Sequence, residues 1–570
     1  MADNAGASHM NADLVIRGGT IVDGTGAPMR HGDVAVRDGR IVAVGDDLDG
    51  DRVIDAKGKF VAPGFFDIHT HYDAQVFWDP ALTSSCWHGV TSVVAGNCGF
   101  SIAPTRPEQR AVIVRTLQAV EDMSEAMLNA GIDWSFETFA EYLALIERNG
   151  TMLNYGCYIG HSPVRLYVMG DEGYEREARP DEIARMREVV ADGMRAGALG
   201  FASSFSANHR GDRGLPIPSR NGTRDEFIAL ASVLGELGYG AVSYAPGAPV
   251  TWRDSYEIQP RIGRPLMWTP MLTTYPETDY RSMMAEHAAG VAAGADVYPQ
   301  ITCLPLKIQL RMDNPYYFRT VPIFLELLGY APSEFGRFYN DPAWRAEAAR
   351  QVPAVKPPVI WDKFLVAETK ANPHLIGHDV ASIARERNCT EIDVLCDLSL
   401  ADDLETRFLV TLSNYDEQAV IELMRQPNAV FGQSDAGAHV AQLCDANMPT
   451  ELLAHWVRDR NAFTLEEAVH KLTAELATLY GITDRGRIAA GTAADLVIFD
   501  LDAVDPGPLT RVRDLPGDEE RLIADAPSGI DFVFVNGVAL TEHGESRVTS
   551  MRERPGQMLR ADAALAAGAR

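Results

Sequence analysis

Two histidines, His69 and His71, end the stretch Val61 to His71, VAPGFFDIHTH. If Phe65 to Ile68 forms a strand, the two imidazoles lie two residues apart and project to the same side. Paired neutral imidazoles supply half of a site for zinc or a similar divalent ion. Far downstream, Asp435 closes the run NAVFGQSD, residues 428–435. Two imidazoles and a carboxylate make three protein ligands and leave room for water, the pattern of a catalytic rather than a structural site. A metal held this way lowers the pKa of its water to about 7 and polarises a carbonyl, while Asp435 could also take the proton. Cys98, at the end of TSVVAGNC, has two readings: a thiolate ligand or bridge to a second ion, or a small buried apolar group.

These residues meet only if the elements carrying them do. Eight short apolar runs recur at 65–69, 91–98, 152–161, 198–204, 240–246, 265–270, 296–302 and 428–435. Helical patterns fit 107–128, 180–196, 224–238, 279–293 and 416–425. Strand–helix alternation over eight units predicts an α/β fold, a closed (β/α)8 TIM-like barrel spanning 63–486. Closure makes the first and last strands neighbours, so Asp435 faces His69 and His71. The chemistry of such a barrel sits where its strands end. There fall His69, His71, Cys98, His161, Tyr244, Thr269, Tyr298 and Asp435.

Residues 11–62 and 487–550 carry short alternating runs with Gly and Asp turns, and predict one small β-sandwich domain built from both chain ends. Residues 303 to about 375 form an excursion too long for a plain loop, a lid or inserted subdomain over the barrel mouth. Residues 551–570 read as a peripheral tail, and residues 1–10 as a vector-derived remnant.

The balance of 51 Lys and Arg against 79 Asp and Glu gives a net charge of -28, which argues against nucleic acid or an anionic membrane as partner. Seven scattered cysteines without a close pair point to a reducing compartment. With no membrane span and no signal-peptide core, the expectation is a cytoplasmic, soluble protein acting on a small molecule.

Several motifs then carry a resemblance over nearly the whole chain: DLVIRGGTIVDGTG, PGFFDIHTHYDAQ, GVTSVVAGNCG, His161 and Arg165 in GH-x-x-x-R, DVYP at 296–299, SDAGAH and GRIAAGTAADLVIFD. The chain resembles the amidohydrolase superfamily, in its D-aminoacylase (N-acyl-D-amino-acid deacylase) branch. The resemblance implies a metal-bearing barrel with a small β domain from both ends, and makes a homo-oligomer such as a dimer unsurprising. It assigns His69, His71 and Asp435 to one metal position and Cys98 to the other, and it places Tyr298 at the family's tyrosine. The second position also takes a histidine from the fifth strand and one from the sixth, and in the deacylases it holds the tight catalytic zinc. Here those histidines fall at about Ala245 and Pro270, which cannot bind metal. The lysine after the sixth-strand histidine and the arginine after Asp435 are missing too.

One ion, zinc or a similar divalent metal, is therefore expected rather than two, unless another histidine substitutes. His161 and His209 are the candidates, and either could act instead in acid–base catalysis. His439 lies just past Asp435. The expected pocket wall is Tyr244, Trp268 and Tyr298, with Met267, Tyr316, Tyr317 and Phe318 as further members and Arg210 or Arg213 near the mouth, a lining for a bulky apolar substrate. The reaction expected is hydrolysis of an amide C–N bond in an N-acyl amino acid-like substrate by metal-activated water, with Asp435 as ligand and general base. The alternative is a lyase, decarboxylase or cyclase of the same fold using a single metal.

Overall fold

The computed structural model describes residues 12–211, 214–274, 278–355 and 358–561, so the remnant at 1–10 and Arg213 lie outside the described residues. Ala12–Ile21 (β1), Arg30–Arg37 (β2), Arg40–Gly45 (β3), Gly50–Asp55 (β4) and Phe60–Pro63 (β5) open the chain. Asp38 and Gly39 join β2 to β3 with φ of 50° and 71°. That backbone is the two-residue hairpin an Asp-Gly pair favours.

Only Gly64 separates β5 from Phe65–Asp67 (β6), where the barrel begins. It continues through Val90–Ala95 (β7), Asn154–Gly160 (β8), Gly200–Ser204 (β9), Ala241–Ala245 (β10), Leu266–Trp268 (β11) and Val297–Ile301 (β12). An insertion follows, with Leu306–Arg311 (β13), Phe364–Glu368 (β14) and Arg407–Ser413 (β15), before Val430–Phe431 (β16) completes the barrel. The parallel strands run in the order β6 to β12 and then β16. Beyond their ends the ring closes through a parallel bridge between Thr70 and Ala436, with His71 N donating to Ala436 O at 2.8 Å. Barrel closure and the meeting of the His71 and Asp435 segments are thus one structural event.

Helices pack outside, started and stopped by local signals. Thr223 caps Arg224–Leu237 by accepting from Glu226 N, and Gly238 ends that helix at φ 81°. Only glycine takes that conformation without strain. Inside the barrel, Phe66, Ile68, Val94, Tyr158, Ala202 and Met267 share one buried cluster, floored by Tyr480 and Leu559. Burial on both faces explains why these strands read as continuous apolar runs.

The insertion extends further than the expected 303–375. β15 pairs antiparallel with β13 from Arg407 opposite Arg311 to Ser413 opposite Leu306, so the excursion returns only near residue 413. It carries its own three-stranded sheet, β13-β15-β14, and its own apolar core around Phe318, Phe324, Phe364 and Phe408.

At the other end come Leu496–Phe499 (β17), Leu509–Leu515 (β18), Glu519–Ala524 (β19), Ile530–Val535 (β20), Val538–Glu542 (β21) and Glu545–Ser546 (β22). β17 pairs with β5 and β20, joining both chain ends in a nine-stranded sheet. The β18–β19 hairpin leaves that sheet for the barrel mouth. There Leu522 N donates to Val440 O at 2.8 Å and Glu520 lies 2.5 Å from Arg407 of the insertion. Up to residue 561 the tail is not peripheral: Leu559 N donates to Tyr155 O at 2.8 Å, and the Leu559 side chain is buried. Among the described residues all seven cysteines are free thiols, and no helix is long and apolar enough to cross a membrane.

Candidate metal centre

β7 ends in the turn Gly96-Asn97-Cys98-Gly99, which sets the thiol. Gly96, Cys98 and Gly99 have φ of 83°, 55° and 71°. A Cβ on Gly96 would stand 2.6 Å from Tyr158 O and one on Gly99 2.6 Å from Ala202 O, so both positions require glycine. Cys98 itself holds a left-handed backbone that L residues rarely adopt, a form of strain that clusters at functional sites.

The turn brings Cys98 to the two histidines. His69, His71 and Cys98 each offer one ligand atom, and these atoms lie within 4.8 Å of one another. His69 Nε2 is 3.0 Å from Asp435 Oδ1 and 3.8 Å from Cys98 Sγ, and His71 Nε2 is 3.6 Å from the same Oδ1. Each imidazole faces a different oxygen with its other nitrogen. His69 Nδ1 is 2.5 Å from Gln300 Oε1, and His71 Nδ1 is 3.3 Å from Glu121 Oε1. With Nδ1 as the donor, both Nε2 lone pairs point at one place, the arrangement found behind metal-bound histidines.

Electrostatics give the same answer. Burial disfavours charge on His69, yet Asp435 and Cys98 outweigh it and push the imidazole up to about 10. His71 likewise overcomes burial, through Glu121, Asp435 and Cys98, and lies well above the usual imidazole range. Asp435, despite burial, is held well below the usual carboxylate range by His69 and His71, and the Cys98 thiol is lowered by hydrogen bonds to both. The cluster therefore demands positive charge at its centre, which a divalent cation meets when the imidazoles give up their protons. Two nitrogens, a thiolate and a carboxylate are a donor set that fits zinc or a similar ion.

Further contacts fix Asp435. Gln433 Nε2 donates to its Oδ2 at 2.8 Å, and Thr269 Oγ1 donates to Gln433 Oε1. The sixth strand, which lacks the expected histidine, so reaches the centre through Thr269 instead. Ser434 Oγ spans Asp67 Oδ2 at 2.7 Å and His69 O at 3.0 Å. Asn97 Nδ2 holds the carbonyls of Ile68, Thr70 and Val94 at 3.1, 3.4 and 2.9 Å.

Other sequence-predicted site residues fall elsewhere. His161 is fully buried with both nitrogens engaged, Nδ1 by Ser203 Oγ and Nε2 by Glu226 Oε1, each at 2.8 Å. Arg165 pairs with the same carboxylate, so His161 sits in a closed network rather than facing reactants. Tyr244 turns from the barrel axis to the helices, its hydroxyl 2.8 Å from Thr251 O and 2.6 Å from Ser255 Oγ. Trp268 also faces outward, stacked on Trp252 at 5.6 Å. Tyr298 bonds Asp296 at 2.8 Å and packs against the cluster that holds Tyr480, at the barrel floor. None of these three lines the mouth, so the aromatic wall expected from them is absent. Alternation along the strands explains Tyr244 and Trp268, since a one-residue difference in parity turns a side chain inward or outward. Tyr298 points inward but lies two residues before Gln300, at the floor rather than the mouth.

His209 does lie beside the centre: its ring sits edge-on to Phe100 at 4.9 Å, and Nδ1 is 2.6 Å from Ser204 Oγ. Burial first, then His439 and His71, push it down to about 3, so it is a neutral imidazole. Arg220 Nη1 donates to His209 O at 3.2 Å, and the Arg220 charge is disfavoured by burial and by neighbouring Arg210. Arg210 is partly buried, with Nη1 donating to Gly214 O at 3.0 Å. From the insertion, Tyr316 lies edge-on to His439 at 5.1 Å. Arg319 Nη1, 2.5 Å from Ala119 O, and Asn314 Nδ2, 2.7 Å from Asp122 Oδ1, tie the insertion to the end of helix Arg110–Glu121 (α1). Sequence reasoning missed Gln300, Glu121, Asn97, Gln433 and Arg220. A helical glutamate at α1's end and an amide at a strand's end give no chemical signal before the fold is known.

The chain is similar to known proteins over most of its length. The family model described as amidohydrolase family matches residues 52–284 and 392–537. An N-acyl-D-glutamate deacylase of Alcaligenes xylosoxydans xylosoxydans is 28% identical over 97% of this chain and 98% of its own length. Among solved structures, the N-acyl-D-glutamate deacylase from Bordetella bronchiseptica, complexed with zinc and a phosphonate mimic of the tetrahedral intermediate, is 25% identical. It superposes with a TM-score of 0.68, covering 97% of this chain and 100% of that one. A D-aminoacylase whose metal centre is described as binuclear, with one-metal activation and second-metal attenuation, is 26% identical at TM-score 0.67, over 96% of this chain and 100% of that one.

Proposed function

The chain belongs to the amidohydrolase family, and from that membership we propose that it hydrolyses the amide bond of an N-acyl amino acid, using one zinc ion held by His69, His71 and Cys98, with Asp435 beside them and a position left for water. That it is a D-aminoacylase-like hydrolase of non-peptide C–N bonds, depending on a divalent metal, follows from its relatives. The observation that carries the finer reading is the meeting of both imidazole Nε2 atoms on Asp435 Oδ1, with Cys98 Sγ 3.8 Å from His69 Nε2.

When bound, the ion lowers the pKa of water and polarises the acyl carbonyl. Asp435, ionised and held by Gln433 on its far oxygen, takes the proton of the attacking water and passes it to the leaving amine. Gln300 and Glu121 keep the imidazoles turned so that Nε2 faces the ion. Arg210 and Arg220, adjacent on the loop after β9, meet the substrate carboxylate in place of the missing arginine after Asp435. His209, neutral and next to them, donates or accepts a hydrogen bond at the substrate's polar end. Tyr316 and His439 bound the acyl side, and Phe100 supplies its apolar floor.

The test is turnover of N-acetyl and longer N-acyl derivatives of D- and L-amino acids by the protein stripped with chelator and reloaded with zinc. Release of free amino acid that is lost on stripping and restored by zinc supports the reading. A panel left untouched by zinc-loaded protein contradicts it.

A further inference from the structure

Beside His71 lies a small cavity, with about 10 Å3 of space for the centre of a water-sized sphere, lined by His71, Asp73, Asn97, Phe100, Leu117 and Glu121, among others. That is about the room one water needs. Glu121, at the end of α1, is 1% exposed, and its Oε2 has no hydrogen-bond partner among the described residues while Oε1 faces His71. Asn97 is also 1% exposed, and its Oδ1 lacks a partner in the same way. The Asn97 amide cannot simply turn over, because its Nδ2 is committed to the carbonyls of Ile68, Thr70 and Val94. Both residues line the cavity, and each carries one buried acceptor without a partner among the described residues. Buried polar atoms rarely go without a partner.

These two side chains are also the ones that hold the histidines. Glu121 takes the Nδ1 side of His71, and Asn97 clamps the carbonyls on either side of His69. A water molecule has two protons to donate and belongs in a cavity with polar walls. We propose that this cavity holds a buried water donating to Glu121 Oε2 and Asn97 Oδ1, and that Glu121, braced by this water, is the positioning residue that turns His71 Nε2 toward the metal. The inference rests on His69 and His71 holding that metal. Glu121 touches neither substrate nor ion; it acts through His71, whose ring it orients and whose basicity it raises.

The experiment is zinc affinity of the full-length chain, measured by competition with a chromophoric chelator for wild type, Glu121→Gln and Glu121→Ala, with melting temperatures as folding control. Loss of such a supporting partner weakens metal binding by about 10–100-fold, so Glu121→Ala is expected at the upper end and Glu121→Gln, which keeps an acceptor without its charge, at about 10-fold. Ligand-field absorption of the cobalt-loaded proteins should shift with them, as a misdirected His71 alters the ligand field. Affinities within threefold of wild type in folded variants would overturn the role of Glu121. If the variants fail to fold, a crystal structure of zinc-loaded wild type decides. Density within about 3 Å of both Oε2 and Oδ1 supports the water. An empty cavity, or a cation with contacts near 2.4 Å, overturns it. Wild type that binds no zinc at all defeats the metal reading itself, a result visible before any variant is compared.

Discussion

At the scale of the residue, the centre is an electrostatic compromise that a cation resolves. In the metal-free chain His69 and His71 keep their protons against burial because Asp435, Glu121 and Cys98 surround them. A divalent cation held there, as proposed, would have to displace those protons. Below the raised imidazole range the protons compete with the ion, and as pH rises they leave more readily. Zinc affinity should therefore climb from about pH 6 to about pH 8, by up to about tenfold per unit for each proton displaced. A flat profile in a chelator-competition titration contradicts this. Asp435→Asn keeps the shape but removes the charge and the proton acceptor, and is expected to lower kcat by about 10^2–10^4-fold in steady-state assays. That His69, His71, Cys98 and Asp435 come together was legible in the sequence, because imidazole, thiol and carboxylate announce their chemistry wherever they stand. Gln300 and Glu121 were not, since their importance lies only in which nitrogen they face. Tyr244 and Trp268 misled because residue type says nothing about which way a strand turns it, and Tyr298 because it says nothing about depth along the barrel.

At the scale of the element, the turn after β7 and the insertion do the positioning. Gly96 has φ of 83° and no room for a methyl group against Tyr158 O. Gly96→Ala should destabilise the protein by about 1–3 kcal/mol and weaken zinc binding through displacement of Cys98, both measurable by denaturant melts and chelator competition. An unchanged metal affinity would mean that the turn does not set the thiol. The insertion reaches the mouth through Tyr316 and is tied to α1 by Arg319 and Asn314, next to Glu121. Arg319→Ala is expected to raise KM severalfold with little change in stability, because it loosens the cover over the acyl side rather than a core. A melting temperature that falls while KM stays fixed would reverse that assignment. The strands and helices of the barrel were readable from short continuous apolar runs alternating with helical patterns. The true end of the insertion was not, because β15 is separated from its partner β13 by nearly one hundred residues and only pairing reveals it.

At the scale of the whole molecule, both chain ends and the barrel are one unit. β17 lies between β5 and β20, and the buried Arg485–Asp495 pair reaches the barrel through Asn154, whose Nδ2 donates to Asp495 Oδ2 at 2.9 Å. The tail closes the floor with Leu559. Truncation after residue 550 should therefore lower the melting temperature by several degrees, about the effect of losing one buried leucine and an added strand-like contact. A melting temperature equal to that of the full chain would return the tail to the periphery. That both ends form one sheet was readable from their shared Gly-punctuated texture, whereas the tail's role was hidden because a single leucine, Leu559, in a polar stretch shows no periodicity. The central claim is one catalytic ion on the His69, His71, Cys98 and Asp435 cluster. The most direct measurement is a zinc titration of stripped protein, following N-acyl amino acid hydrolysis and bound metal together. Activity should reach its maximum at one equivalent per chain and vanish in His69→Ala. Activity that needs two equivalents, or that persists without metal, would contradict a single ion as the centre of the chemistry.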